Sequence, residues 1–547
     1  MATAKKLRIR RSLLVMQEEY EQGKKEKKPK LMKPLEDLVR AWAGIQALPP
    51  EDTKSYFNLA GFHGEPFSGA GYGDATYWGG YCNHGNILFP TWHRIYALRL
   101  EDALRSIKGC EDVTLPYWDE TDAYSLANGI PSILTDPTFH LDGEDIPNPL
   151  CSFKLPAKLT DSVAADKGLY TKPAGYETVR YPLSGLVGTD DAKKHSEEHN
   201  AKYPYPESKN ILNDNIVTWL NQPTIDIPEG EGGQKAQVVP ADVHKKYINC
   251  LKAPNYTVFS NTTSSGKYND TTGNTATVVA LESPHNSIHL AIGGCDIPAY
   301  DRSPIPGANG DMGENNTASF DPIFFFHHCN IDRVFWLWQK RHKATEKLEI
   351  IDKYPGTNSS DSQGATPGMP PNSWLTLDSP LDPFKHPNGK YVTSNDCINI
   401  EQQLGYTYTI GSLEEVPLKQ TLKLEKGYSV KKLAITKINR GAIRGSFTIS
   451  AFLHVNNKKY YLGSEAILSR WNTSGCANCQ THLEAKAFFD LYTIPETLLT
   501  KTQLRTEAAE FSVELHGKDD PKKENAKMFA LFSASNEDDR PYHLEIS

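Results

Sequence analysis

Apolar and polar positions change their period along the chain. Over residues 33–47 the apolar spacing predicts a helix. Pro90 opens a second helical segment in which His93, Ala97, Leu100 and Leu104 share one face. Two more helices are expected at 285–292 and 321–342. After about residue 431 the period falls to two. The runs "AITKI", "GSFTISAFLHV", "KKYYLGSEAIL" and "AEFSVELHG", bounded by Asn, Lys and Gly turns, read as strands. The polar stretches "HLDGEDIPNPL", "DIPEGEGGQK" and "NYTVFSNTTSSGKYNDTTGNT" read as long loops. A chain of 547 residues exceeds what one core usually supports. The expected organisation is a helical domain over 1–410, an exposed, protease-sensitive Lys- and Glu-rich linker over 411–430, and a β-rich domain over 431–547.

Composition narrows the possible partners. A net charge of −8 argues against a nucleic-acid-binding face. The basic opening "MATAKKLRIRRSLLVM" then reads as a solvated arm or a surface helix. No apolar stretch is long enough to span a bilayer, and "SLLVM" is too short for a signal-peptide core, so a cytoplasmic protein without a membrane partner is expected. Nine cysteines, an odd and scattered set, do not form a disulfide framework.

The histidines fall into clusters. "YCNHG" places Cys82 two residues before His84, and "FPTWHR" carries His93. "SPHNSIH" sets His285 and His289 four apart, on one face of a helix. "FDPIFFFHHCNIDR" adds His328 at helical spacing to Asp332 and Phe335. With His63 in "GFHGEP", the chain offers two sets of three imidazoles, ligands that suit copper, zinc, iron or nickel. A single histidine is more often structural than ligating, and the H-x-x-x-H here lacks the glutamate of a zinc protease. The combined pattern carries the weight.

That pattern, with "LPYWD" and the Tyr406-x-Tyr408 element, resembles the type-3 copper proteins, and most closely the fungal pro-tyrosinases. The resemblance runs from "IRRS" to the end of the chain. It implies a mainly α domain whose four-helix bundle (33–47, 84–107, 283–293, 321–342) holds two copper ions, followed by a β-sandwich-like domain. His63, His84 and His93 would bind CuA; His285, His289 and His328 would bind CuB. His327 would be a neighbour in the surrounding hydrogen-bond shell, Cys82 would be joined to His84 by a thioether, and Glu282 and Asn286 would hold a water able to deprotonate a phenol. Phe324 would pack on a ligand imidazole, with Met312 and Asn315 at the cavity mouth. Arg94, Asp332 and Arg333 would form buried ion pairs, and Tyr406 and Tyr408 would close the domain against Arg10 or Arg11.

The implied activity is ortho-hydroxylation of monophenols and oxidation of o-diphenols to o-quinones with O2, leading to melanin-type pigment. The β-rich domain would keep the enzyme latent until a protease cuts the linker. Phe452, Tyr460, Tyr461 and Trp471 are the candidates for a side chain filling the substrate pocket, and Cys476 and Cys479 would help load copper. A homodimer fits the same reading. Two alternatives share the site: a catechol oxidase without monophenolase activity, and a hemocyanin-like oxygen binder.

Overall fold

The computed structural model describes the chain except residues 1–6, 68–78, 162–166, 222–242, 273–276, 295–306, 362–365, 416–431, 444, 456–457, 470–483, 492–509, 518–541 and 547. Strand β1 (Arg8–Arg10) leads into helices α1 (Leu13–Glu26) and α2 (Pro29–Gln46). From Leu13 onward the segment is helical and docked: Leu13, Met16, Tyr20 and Gly23, at three- and four-residue spacing, are buried. In α2 the buried set is Leu35, Leu38, Val39, Ala41, Trp42 and Ile45, and Pro29 sits in the first turn, where its missing N–H costs nothing.

Helix α3 (Phe89–Leu104) begins later than the expected 84–107. Pro90 is in its first turn, and the preceding stretch stays extended or turned so that a loop carries Cys82 and His84. The polar run expected as one loop instead forms α4 (Tyr256–Ser260) and α5 (Thr262–Thr271). The physical reason lies in two asparagines. The Asn255 side chain accepts from Val258 N–H and that of Asn261 accepts from Ser264 N–H, so each starts a helix that apolar periodicity does not announce. "HLDGEDIPNPL" holds part of a short hairpin, Thr138–Leu141 against Glu144–Pro147. "DIPEGEGGQK" lies outside the described residues. Helices α6 (Glu282–Gly293) and α7 (Ile323–His342) are the most enclosed: every residue of α6, and α7 from Ile323 to Gln339, is buried.

The helical body closes on itself. Strand β2 (Tyr406–Tyr408) pairs in parallel with β1. Arg10 stacks 3.7 Å over the Tyr406 ring, so Arg10 rather than Arg11 makes this contact. Asp332 of α7 accepts from Arg94 Nε (2.5 Å), Tyr406 OH (2.5 Å), Tyr408 OH (2.5 Å) and Arg10 Nη1 (3.4 Å), while Arg10 Nε also meets Glu101 at 2.8 Å. This buried network fixes α3 and α7 to both ends of the body. Arg333 pairs with Glu414 (2.7 Å), Ser412 bonds Asp119, and Leu413 is buried. Residues 411–414 are thus tied to the helical body, with Glu415 exposed. This corrects the first part of the expected exposed linker; the remainder, 416–430, lies outside the described residues.

Beyond it stand two three-stranded sheets. One has the order β6 (Glu484–Asp490), β3 (Lys432–Asn439), β8 (His543–Ile546); the other β7 (Glu510–Gly517), β4 (Phe447–Val455), β5 (Lys458–Ile467). All these pairings are antiparallel, as expected for a sandwich-like part with alternating apolar positions. Leu433, Ile435, Phe447, Ile449 and Leu453 form its own core. No helix among the described residues is long and apolar enough to cross a membrane.

Candidate metal centre

Each imidazole is delivered by a distinct piece of local structure. His63 follows the short helix Tyr56–Gly61, which the Ser55 side chain caps through Asn58 N–H. His84 sits on the loop before α3. Its neighbour Gly85 has φ +75° and would drive a Cβ to 2.8 Å from the Asp361 carbonyl, so only glycine suits that turn. His93 is in the second turn of α3, His285 and His289 lie on one face of α6, and His327 and His328 are on α7. Asp321 anchors the start of α7: Arg180 grips it through two bonds (2.7 and 2.6 Å), and it accepts from Ile323 N–H.

The rings converge from two sides. His63, His84 and His93 have centroid separations of 5.3, 5.7 and 5.1 Å. His285, His289 and His328 have separations of 4.5, 4.9 and 5.6 Å. The two sets meet where His93 stacks on His328 at 4.5 Å and His84 approaches His285 at 5.6 Å.

Backbone and side-chain oxygens orient the rings. His63 Nδ1 meets the Asn315 carbonyl, His93 Nδ1 that of Phe89, and His289 Nδ1 that of Met312, each at 2.8 Å; His285 Nδ1 meets Asn286 Oδ1 at 2.9 Å. With Nδ1–H donating, Nε2 keeps its lone pair for the interior. The Nε2 atoms of His93 and His285 are buried with no hydrogen-bond partner. Burial holds His93 and His289 down to about 3 and His285 and His328 well below the usual imidazole value, so the rings are neutral, the form that binds metal. Converging, uncharged nitrogen donors with no carboxylate among them fit copper.

The remaining candidates fall around this centre. Phe324 packs at 4.0 Å from His328 and 4.8 Å from His63. Met312 and Asn315 are buried and act through their carbonyls, which replaces the expected place at a cavity mouth. The Cys82 thiol is buried, and its Sγ lies within 4.8 Å of donor nitrogens of His63 and His84. His327 adjoins the second set. Donor nitrogens of His285, His289, His327 and His328 lie within 4.8 Å of one another, and His327 Nδ1 bonds Glu120 Oε1 at 2.6 Å. Glu120, whose carboxyl burial pushes well above the usual range, also takes a hydrogen bond from Tyr247. Sequence reasoning passed over it, although it directly follows the "LPYWD" element.

Glu282 is fully buried; Oε1 accepts from Gly85 N–H at 2.8 Å, and Oε2 from Thr262 N–H at 2.8 Å and its hydroxyl at 3.0 Å. Phe452 and Tyr461, paired across β4 and β5 with rings 5.4 Å apart, pack into the apolar cluster of the helical body rather than the core of their own sheets. The Tyr460 side chain, Trp471, Cys476 and Cys479 lie outside the described residues.

The common central domain of tyrosinase matches residues 53–341, the span that carries all six histidines. This chain belongs to the tyrosinase family. It is 54% identical over 518 residues to tyrosinase HcTyr2 of Hahella sp., covering 92% of both chains. It is 45% identical over 517 residues to a tyrosinase of Aspergillus oryzae, covering 89% of this chain and 91% of that one. The structure of a Burkholderia thailandensis tyrosinase superposes with a TM-score of 0.84 at 49% identity, over 99% of this chain and 100% of that one. Relatives thus come from bacteria as well as from a fungus, so what the resemblance establishes is the family and not a fungal source. The tyrosinase family fixes the chemistry in outline: the protein is a copper-dependent oxidoreductase that acts on phenols with O2 through a pair of copper ions.

Proposed function

We propose that this tyrosinase both hydroxylates monophenols at the ortho position and oxidises o-diphenols to o-quinones, the precursors of melanin-type pigment. The observation that carries the reading is the face-to-face arrangement of two imidazole triads, joined by the His93–His328 stack at 4.5 Å. His63, His84 and His93 hold one copper; His285, His289 and His328 hold the other. When bound, the copper pair supplies the two-electron exchange with O2.

The chain's own groups do the rest. Carbonyls of Phe89, Met312 and Asn315 and the Asn286 amide hold the rings in the ligating tautomer. Phe324 seals the side of the site against His63 and His328. Glu282 and Asn286 position a water that takes the proton of an incoming phenol. Burial raises the Glu282 carboxyl, which brings it nearer the operating pH of a general base. Cys82 tethers the loop-borne His84 ring through a thioether; the bond removes two electrons and two protons from the thiol and a ring C–H, with O2 as acceptor.

The β-rich part acts as a cap, which makes the enzyme latent. Support comes from its seating on α6 and on the helix Val243–Cys250. Glu465 accepts from Ser283 (2.6 Å) and Lys246 (2.8 Å), and Phe452 and Tyr461 turn towards the helical body. Cleavage within 416–430 would release it. A catechol oxidase would keep the same imidazoles; Glu282 and Asn286 favour the fuller activity.

Oxygen uptake by the copper-loaded chain with L-tyrosine and L-DOPA, before and after limited trypsin treatment, tests this. Uptake with both substrates, rising after cleavage, is expected. Uptake with L-DOPA alone would move the assignment to catechol oxidase, and a rate unchanged by cleavage would remove the latency.

A further inference from the structure

The helical and β-rich parts together line a cleft of about 350 Å³ beside the imidazole centre. Its wall is shared. Gly85, Thr262, Ser283 and Asn286 come from the helical part; Arg440, Glu465 and Lys486 come from the β-rich part.

Most charges around it are already matched. Lys486 meets Asp270 at 2.6 Å, and Glu465 is held by Ser283 and Lys246. Arg440 is less well matched. Its Nε is sealed from solvent without a hydrogen-bond partner, and among the described residues its guanidinium makes no ion pair. The acid that feels its charge is Glu282, whose two oxygens are already taken up by Gly85 and Thr262. Burial with so little compensation pulls the guanidinium down to about 10. Arg440 as a whole is partly exposed, but a buried guanidinium N–H beside a void is a costly arrangement unless an acceptor enters the void.

We propose that this cavity binds a small carboxylate, with Arg440 as the anchoring group. A carboxylate presents two oxygens in the plane and spacing of the guanidinium fork. The Asn286 amide also lines the cavity, whereas the hydroxyl hydrogens of Thr262 and Ser283 are already given to Glu282 and Glu465. The volume falls within the range of small-molecule sites. Because both parts of the chain line the cavity, the occupant binds only when the β-rich part is seated. By mass action, it therefore holds that part in place.

The test is calorimetric titration of the uncleaved, copper-loaded chain with benzoate, for wild type, Arg440→Gln and Arg440→Lys, with benzylamine as the probe of opposite charge. Wild type is expected to bind benzoate and not benzylamine. Arg440→Gln should bind benzoate at least about tenfold more weakly, the loss of a charge-assisted contact, with Arg440→Lys in between. Benzoate should also slow trypsin cleavage of wild type and leave the cleavage rate of Arg440→Gln unchanged. Equal benzoate affinity in wild type and both variants would put the probe elsewhere, on the imidazole centre for instance, and overturn the proposal. So would the absence of benzoate binding to wild type.

Discussion

Asp332 gathers four buried donors, two of them charged, and a graded series of substitutions there measures what the network contributes. Asp332→Ala leaves Arg10 and Arg94 enclosed without their shared counter-charge. Both guanidinium groups are fully buried, so the expected cost is that of breaking a buried ion pair, about 3–5 kcal/mol. Asp332→Asn keeps an acceptor oxygen and the volume, and should cost less, about 1–3 kcal/mol. Tyr406→Phe removes one neutral donor from the same oxygen and should cost about 1 kcal/mol. An unfolding entropy of about 2.1 cal/mol/K per residue over roughly 400 residues gives about 0.8 kcal/mol/K, so Asp332→Ala should lower the Tm of the helical body by about 4–6 °C. Differential scanning calorimetry on the copper-loaded chain reads this directly. A shift below about 1 °C for Asp332→Ala, or a larger shift for Tyr406→Phe than for Asp332→Ala, would refute the reasoning.

Three further expectations rest on separate features. Glu465→Ala removes the polar bonds from β5 to Ser283 of α6 and to Lys246 of the helix Val243–Cys250; these are partly exposed, so about 1–2 kcal/mol is at stake, and the uncleaved chain should oxidise L-DOPA about 5–30-fold faster, whereas an unchanged basal rate would show that the contact does not hold the cap. Glu282→Gln should slow L-tyrosine hydroxylation by about 10²–10⁴-fold while L-DOPA oxidation stays within about threefold; equal losses on both substrates would make the residue a structural one. Burial alone would raise Glu101 and Asp332, but Arg10 and Arg94 override it and hold both below the usual carboxylate range. Their stabilisation is therefore full above about pH 4 and is lost as pH falls through the depressed folded-state values, so wild-type Tm should drop more steeply below about pH 4 than that of Glu101→Gln.

The parts of the fold that sequence made legible are those where one residue spacing carries both structure and chemistry. His285 and His289 share a face because α6 is a helix, and the same spacing reveals the helix and the donors together. The DP pair at 321–322 marks the start of α7. The run 255–272 was opaque because its helices are begun by Asn255 and Asn261 rather than by apolar spacing. Glu120 and Arg440 were hidden for another reason. Their importance depends on partners far off in sequence, His327 for one and Glu282 for the other, and no local pattern encodes that meeting.

The parallel pairing of β1 with β2 also sets an order of events on the ribosome. Residues 8–10 wait for a partner until residues 406–408 have emerged, so the copper-binding body cannot close before three quarters of the chain exists. Residues 409–547 follow, which at about 5–20 residues per second takes roughly 7–30 s. During that interval the nascent helical body can be complete while the β-rich part is still being synthesised. Each newly made molecule therefore passes through a brief period in which the imidazole centre is assembled and the β-rich part is not yet seated on it.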